Sequence, residues 1–121
     1  LEIDALNGEP GVNSAHYSGS RDFEQNMQLV LDRLEGQKNR TARFRTVISL
    51  IMRGKEYLFE GSIEGKISLQ RSGSQGFGYD PIFHPDGYEI SFAEMDPAEK
   101  NRISHRAIAV EKLISFLKNQ I

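Results

Sequence analysis

Apolar and polar positions follow two different periods along this chain, and each change of period marks an element. Leu1, Ile3 and Ala5 alternate with Glu2 and Asp4, which predicts a short strand ending at the turn pair Asn7-Gly8. Residues 7–20 hold Gly, Asn, Ser and Pro without a period and read as a loop punctuated by Pro10 and Gly11. A helical period follows: Phe23, Met27, Val30, Leu31 and Leu34 share one stripe. Ser20 is the predicted cap, Asp22 and Glu24 suit the positive end of the helix dipole, and Gly36 is the stop. Over 42–52 the period is two, with Ala42, Phe44, Ile48, Leu50 and Met52 on one face and Arg43, Arg45 and Ser49 on the other. Val47 and Ile51 are apolar exceptions on that second face. Arg53-Gly54-Lys55 predicts a tight turn and 56–60 a returning strand. Gly61 and Gly65 then predict a bend or bulge over 62–69.

Residues 70–96 read as mostly irregular, with extended pieces at Ile82-Phe83 and over 89–92. Asp96-Pro97-Ala98-Glu99 signals a helix start: an acceptor at the cap, Pro at the first position and Glu at the third. Ser104 either opens a second helix or sits inside the first. Ile103, Ala107, Val110, Leu113, Ile114 and Leu117 form a stripe for burial toward the end. There is no repeat, low-complexity tract or linker, so residues 1–121 read as a single α/β domain.

Composition narrows the function classes. With 121 residues, 38% of them hydrophobic and 26% charged, the chain has a globular mix. A net charge of −2 gives no basic footprint, so no nucleic-acid partner is predicted. No apolar run is long enough for a bilayer, so no membrane partner is predicted either. There are no cysteines, which excludes disulfides, thiolate zinc sites and iron–sulfur clusters and fits a cytoplasmic location. His16, His84 and His105 have no metal-ligand spacing, and Asp86 and Glu94 stand apart, so no metal ligands are predicted. No Ser–His–Asp arrangement is readable.

The chemistry concentrates in two clusters. The first, Ser74-Gln75-Gly76-Phe77-Gly78-Tyr79-Asp80-Pro81-Ile82-Phe83, puts aromatics beside two glycines and a carboxylate. Glycines flanking Phe77 let the backbone take unusual dihedrals or approach a ligand closely. A phenyl ring on such a loop can stack on a base, a contact worth roughly 1–3 kcal/mol; equally, Phe77 and Tyr79 can plug the core. Asp80, extended by the proline that follows it, can accept from a ring N–H or a sugar hydroxyl, or close a turn. The second cluster is Glu99-Lys100-Asn101 with Ser104-His105-Arg106. A 6-oxopurine presents an acceptor at O6 and a donor at N1, and adenine the reverse pair. Arg or His donors aimed at O6 therefore favour inosine, xanthosine or guanosine. Ser104 can serve a ligand or cap its helix. The glycine spacing is not that of a dinucleotide fold, and there is no Walker lysine.

These motifs, with Phe92-Ala93-Glu94-Met95 and the opening Leu1–Gly8 and Pro10-Gly11-Val12, resemble the inosine triphosphate pyrophosphatase family, which hydrolyses deaminated purine nucleoside triphosphates. The resemblance covers essentially the whole chain. It implies an elongated two-lobed α/β fold with a central mixed sheet, of which the N-terminal portion is missing here. It implies that Phe77 stacks on the base, that Gly78, Tyr79, Asp80 and Lys100 belong to the nucleoside site, and that Ser104, His105 and Arg106 contact the 6-oxopurine. It also implies Mg²⁺ in the intact enzyme, a purine nucleoside triphosphate as substrate, a homodimer, and water attack at the α-phosphorus with pyrophosphate leaving. The family's Asp-Asp-Ser/Thr-Gly motif, with its proposed catalytic base, would lie immediately before Leu1, and the earlier phosphate-binding motif is also absent. No catalytic residue is therefore assigned in 1–121, and the chain alone is expected to be inactive. Asn13-Ser14-Ala15-His16 departs from the family's common Tyr-Ser-Ala-Arg.

Two other classes compete. One is a non-catalytic purine-nucleotide-binding or interaction module that shares the pocket. The other is a small RNA-binding domain stacking bases on Phe77 and Tyr79, which the net charge disfavours.

Overall fold

Two long strands form the frame. In the computed structural model, which describes residues 1–74, 76 and 78–120, β2 (Thr41–Met52) and β3 (Lys55–Ile67) pair antiparallel without a break, from Thr41↔Lys66 to Met52↔Lys55. Their turn is the two-residue pair Arg53-Gly54, both with positive φ (53° and 77°), the twist that suits a tight hairpin. Lys55 is thus the first residue of the returning strand. β1 (Glu2–Ile3) adds to β2, and β4 (Phe83–Pro85) adds to β3, giving an antiparallel sheet in the order β1-β2-β3-β4. The α/β class read from the periods is the one observed.

The predicted bulge after Gly61 does not form, because register is kept through Gly61↔Thr46 and Gly65↔Ala42. The glycines serve close approach. A Cβ on Gly65 would stand 2.4 Å from the His84 carbonyl oxygen and 2.6 Å from the Phe83 ring. A Cβ on Gly61 would meet the backbone of α3 (His105–Lys118), 2.6 Å from the Ala109 nitrogen. That contact selects the face α3 lays on the sheet. Ala109 is buried, and Phe116 packs on Tyr57 and Phe59 at centroid distances of 4.6 and 5.3 Å. Val110, Ile114 and Leu117, predicted as part of the buried stripe, are instead 39–45% exposed.

α1 (Phe23–Arg33) begins two residues later than the Ser20 cap implied. Asp22 is its N-cap, accepting from the Glu24 and Gln25 amides, and Ser20 accepts from the Asp22 amide. Met27, Val30 and Leu34 are buried as expected, while Phe23 is exposed. Arg40 secures the helix end: its guanidinium donates to the carbonyls of Leu34, Ile67 and Ser68 at 2.8–2.9 Å.

α2 (Pro97–Ile103) starts on the Asp96 cap and Pro97, as its sequence signals. Ser104 ends α2 and caps α3 through a bond from the Ala107 amide. The extended piece expected over 89–92 is absent. Ser91 instead opens a 3₁₀ turn, Phe92–Glu94, through a capping box with Glu94. The core gathers Ile3, Val30, Leu34, Ile67, Ile82, Phe83 and Phe92 beneath this turn, and Phe44, Phe83 and Phe92 meet ring to ring. Among the described residues no helix is long and apolar enough to cross a membrane.

Candidate functional site

Where the loop before β4, the N-terminal part of α1 and the α2–α3 junction converge, they leave a cleft of about 570 Å³. Apolar walls with a few converging polar groups are the usual make-up of a small-molecule site. Phe77, on which the stacking expectation rests, lies outside the described residues. The other residues that the resemblance assigns to the site all line this one cleft: Gly78, Tyr79, Asp80, Lys100, Ser104, His105 and Arg106.

The loop is shaped by glycine and closed on a buried charge. Gly76 and Gly78 have φ of 79° and 62°. A Cβ on Gly76 would stand 2.2 Å from the Asp80 carboxylate, so the loop lies directly against that group. Asp80 opens the 3₁₀ turn Asp80–Ile82 and is only 5% exposed. A buried carboxylate needs a partner, and Lys100 Nζ donates to its Oδ2 at 2.5 Å. Lys100, on α2, stands 5.7 Å from the centroid of the Phe92 ring. Tyr79 is buried, and its hydroxyl donates to the Ser14 carbonyl at 2.7 Å. Burial pushes that phenol well above its ordinary range. Tyr79 thus anchors the loop to the 3₁₀ segment Gly11–His16, whose Ser14 and Ala15 form part of the cleft wall.

His105 and Arg106 open α3. The His105 ring stacks on Phe44 at 5.2 Å and 17°. Its Nδ1 is buried without a hydrogen-bond partner. Burial, helped by the neighbouring Arg106 charge, lowers the imidazole to about 4, so the ring is neutral at neutral pH. The Ser104 hydroxyl is engaged in capping. Arg106 is exposed at the cleft. The site therefore offers a neutral imidazole, a guanidinium and a lysine–carboxylate pair within one partly apolar cleft.

Sequence reasoning missed several lining groups: Arg21, Phe23 and Asn26 on or beside α1, and Phe44 on β2. Asn26 is buried and bonds Ser18 and the Ala15 carbonyl, holding the 11–18 segment against α1. No local signal marks these residues, because only the tertiary fold brings α1 and β2 to the cleft. Glu94, left as an isolated carboxylate, is bound to the Ser91 amide, which holds its carboxyl below the usual range. Among the described residues no group of three or more His, Asp or Glu side chains is placed to hold a metal ion.

Known proteins share this arrangement of chain. The dITP/XTP pyrophosphatase of Flavobacterium johnsoniae is 49% identical over 118 residues, covering 97% of this chain and 62% of its own length. That of Thermococcus kodakarensis is 43% identical over 121 residues, covering 63% of its own length. The structure of the Staphylococcus aureus Ham1 protein superposes with a TM-score of 0.94 at 37% identity, over 99% of this chain and 64% of that one. A HAM1 protein from Coxiella burnetii superposes at 0.92 with 40% identity, over 98% and 63%. The chain thus spans just over three fifths of the length of the relatives it matches. The sequence pattern of the Ham1 family matches residues 1–116. On this match, and in line with the motifs around Asp80 and His105, the chain belongs to the Ham1 family.

Proposed function

We propose that the full protein hydrolyses non-standard purine nucleoside triphosphates (ITP, dITP and XTP) to the monophosphate and pyrophosphate, and so clears deaminated purines from the nucleotide pool. One observation carries this reading: two stretches well separated in sequence, Gly78-Tyr79-Asp80 and Lys100 with Ser104-His105-Arg106, face a single cleft. The relatives' name, dITP/XTP pyrophosphatase, agrees with it.

The selection rests on donors. Arg106 and the neutral His105 present N–H groups suited to the O6 acceptor of a 6-oxopurine. Adenine carries an amino donor at that position, so the same groups would face a donor and remain unsatisfied. Each such loss costs on the order of 1–3 kcal/mol in a desolvated site. The Lys100–Asp80 pair stiffens the wall on which the nucleoside would rest, a positioning contribution. The reaction breaks the bond between the α- and β-phosphates, with water attacking the α-phosphorus. No described residue is assigned as the base. Mg²⁺ belongs to the proposal for the full protein; the described side chains do not assemble a site for it. A homodimer and a cytoplasmic location belong to the same proposal, checked by the mass of the full protein in solution and by cell fractionation.

The test is pyrophosphate release from ITP, XTP and ATP with Mg²⁺. The full protein should favour ITP and XTP over ATP by about 100-fold or more in kcat/KM; equal turnover of ATP would overturn the reading. The isolated 121-residue chain should release none, and sustained turnover by it would show that the catalytic group lies within these residues.

A further inference from the structure

We propose that Phe44, a residue of the sheet, is a positioning residue of the base site: its ring face holds the His105 imidazole so that Nε2 is presented to the cleft. This rests on reading the cleft as a purine site. A histidine that recognises a ligand is usually fixed through its second ring nitrogen, which bonds a carbonyl or carboxylate. His105 has no such bond, since its Nδ1 is buried without a partner. Instead its ring lies nearly parallel to that of Phe44, 17° apart with centroids at 5.2 Å. Offset stacking of this kind constrains the plane of the ring.

Phe44 is itself held from beneath. It meets the buried Phe83 at 4.6 Å and the buried Phe92 at 5.9 Å. Phe92 also lies under the Lys100 ammonium. A continuous aromatic series therefore runs from the Asp80–Lys100 pair through Phe92 and Phe44 to His105, joining the two sides of the cleft through the core.

The stack also bears on the tautomer. A buried N–H without an acceptor is rarer and costlier than a buried lone pair without a donor. Nδ1 therefore carries the lone pair and Nε2 the proton. With Nδ1 enclosed, Nε2–H is the edge left for the ligand, a fixed donor matched to a 6-oxo group. Around the ring, the Arg106 and Lys100 cations oppose its protonation, Asp80 favours it, and burial is the largest single influence, against protonation.

The experiment uses the full protein with three variants. Phe44→Leu removes the ring face but keeps an apolar side chain, Phe44→Tyr keeps the face, and His105→Ala removes the reader. Phe44→Leu should lower the ITP-to-ATP ratio of kcat/KM about tenfold, through KM for ITP; Phe44→Tyr should restore the ratio. Nitrogen NMR of the wild-type His105 ring should show the Nε2–H tautomer. A folded Phe44→Leu protein that keeps the ratio within about twofold while His105→Ala loses it would overturn the proposal. So would an Nδ1–H tautomer in the wild type, a result that decides the matter even where Phe44→Leu does not fold. A wild type with no preference for ITP would refute the purine reading, and the NMR result would still judge the stack.

Discussion

The carbonyl oxygen of His105 lies where a Cβ on Gly61 would stand 2.0 Å away. The first turn of α3 is therefore seated directly on the backbone of β3. Gly61→Ala should force the helix off the strand, since neither backbone can yield as a flexible side chain would. Overpacking of this kind costs about 1–3 kcal/mol. Urea unfolding should show that loss, and affinity for ITP should fall in parallel because His105 and Arg106 ride on the same turn. Unchanged stability and binding would mean that the contact relaxes locally.

The Lys100–Asp80 pair in the cleft is well enclosed, with the two side chains 18% and 7% exposed. Removing one member takes away the other's 2.5 Å partner. Lys100→Met or Asp80→Asn should each destabilise the fold by about 3–5 kcal/mol, and the double variant by clearly less than the sum. A double-mutant cycle from denaturant unfolding checks this. Additive losses would mean that the pair does not act as a unit.

His105 gives acid sensitivity a definite sign. Its folded value, about 4, lies below the ordinary imidazole value of 6.5. Between these the unfolded chain binds the proton and the folded one does not, so stability is complete above about pH 6.5 and falls as the pH drops toward 4. His105→Gln should flatten that part of the profile, read as the urea midpoint at successive pH values. An identical slope in both proteins would show that His105 is not held neutral.

Arg106 is exposed at the cleft. In the full protein Arg106→Ala should reduce selectivity for ITP over ATP by roughly tenfold or more while leaving the fold intact. Competition between the two nucleotides in a pyrophosphate-release assay reads this directly. Unchanged selectivity would remove Arg106 from base reading.

Local chemistry made part of this legible. The alternation through Phe44, Ile48 and Leu50 gave the inner face of the hairpin, and Asp96-Pro97 gave the start of α2. The motifs around Asp80 and His105 pointed to residues that do share one cleft. What was misread depended on partners distant in sequence. The glycines at 61 and 65 carry the ordinary marks of a bulge, and only the packing of α3 and β4 shows that they are close-approach points. The same packing turned Val110 and Ile114 outward. The stretch over 89–92 was a different error, since Ser91 and Glu94 already spelled a capping box. Phe44 read correctly as an inward strand residue, but nothing local to β2 announces a histidine against its ring.

Arg40 never faces the cleft, yet it fixes the far ends of both walls. One guanidinium joins the last carbonyl of the α1 region to the two carbonyls where β3 gives way to the loop that leads to Asp80. Three acceptors in three directions suit a planar fork and exceed what a single ammonium can hold in place. Helix and sheet are in this sense riveted to each other by one cation. A lysine there would keep the charge and lose the rivet.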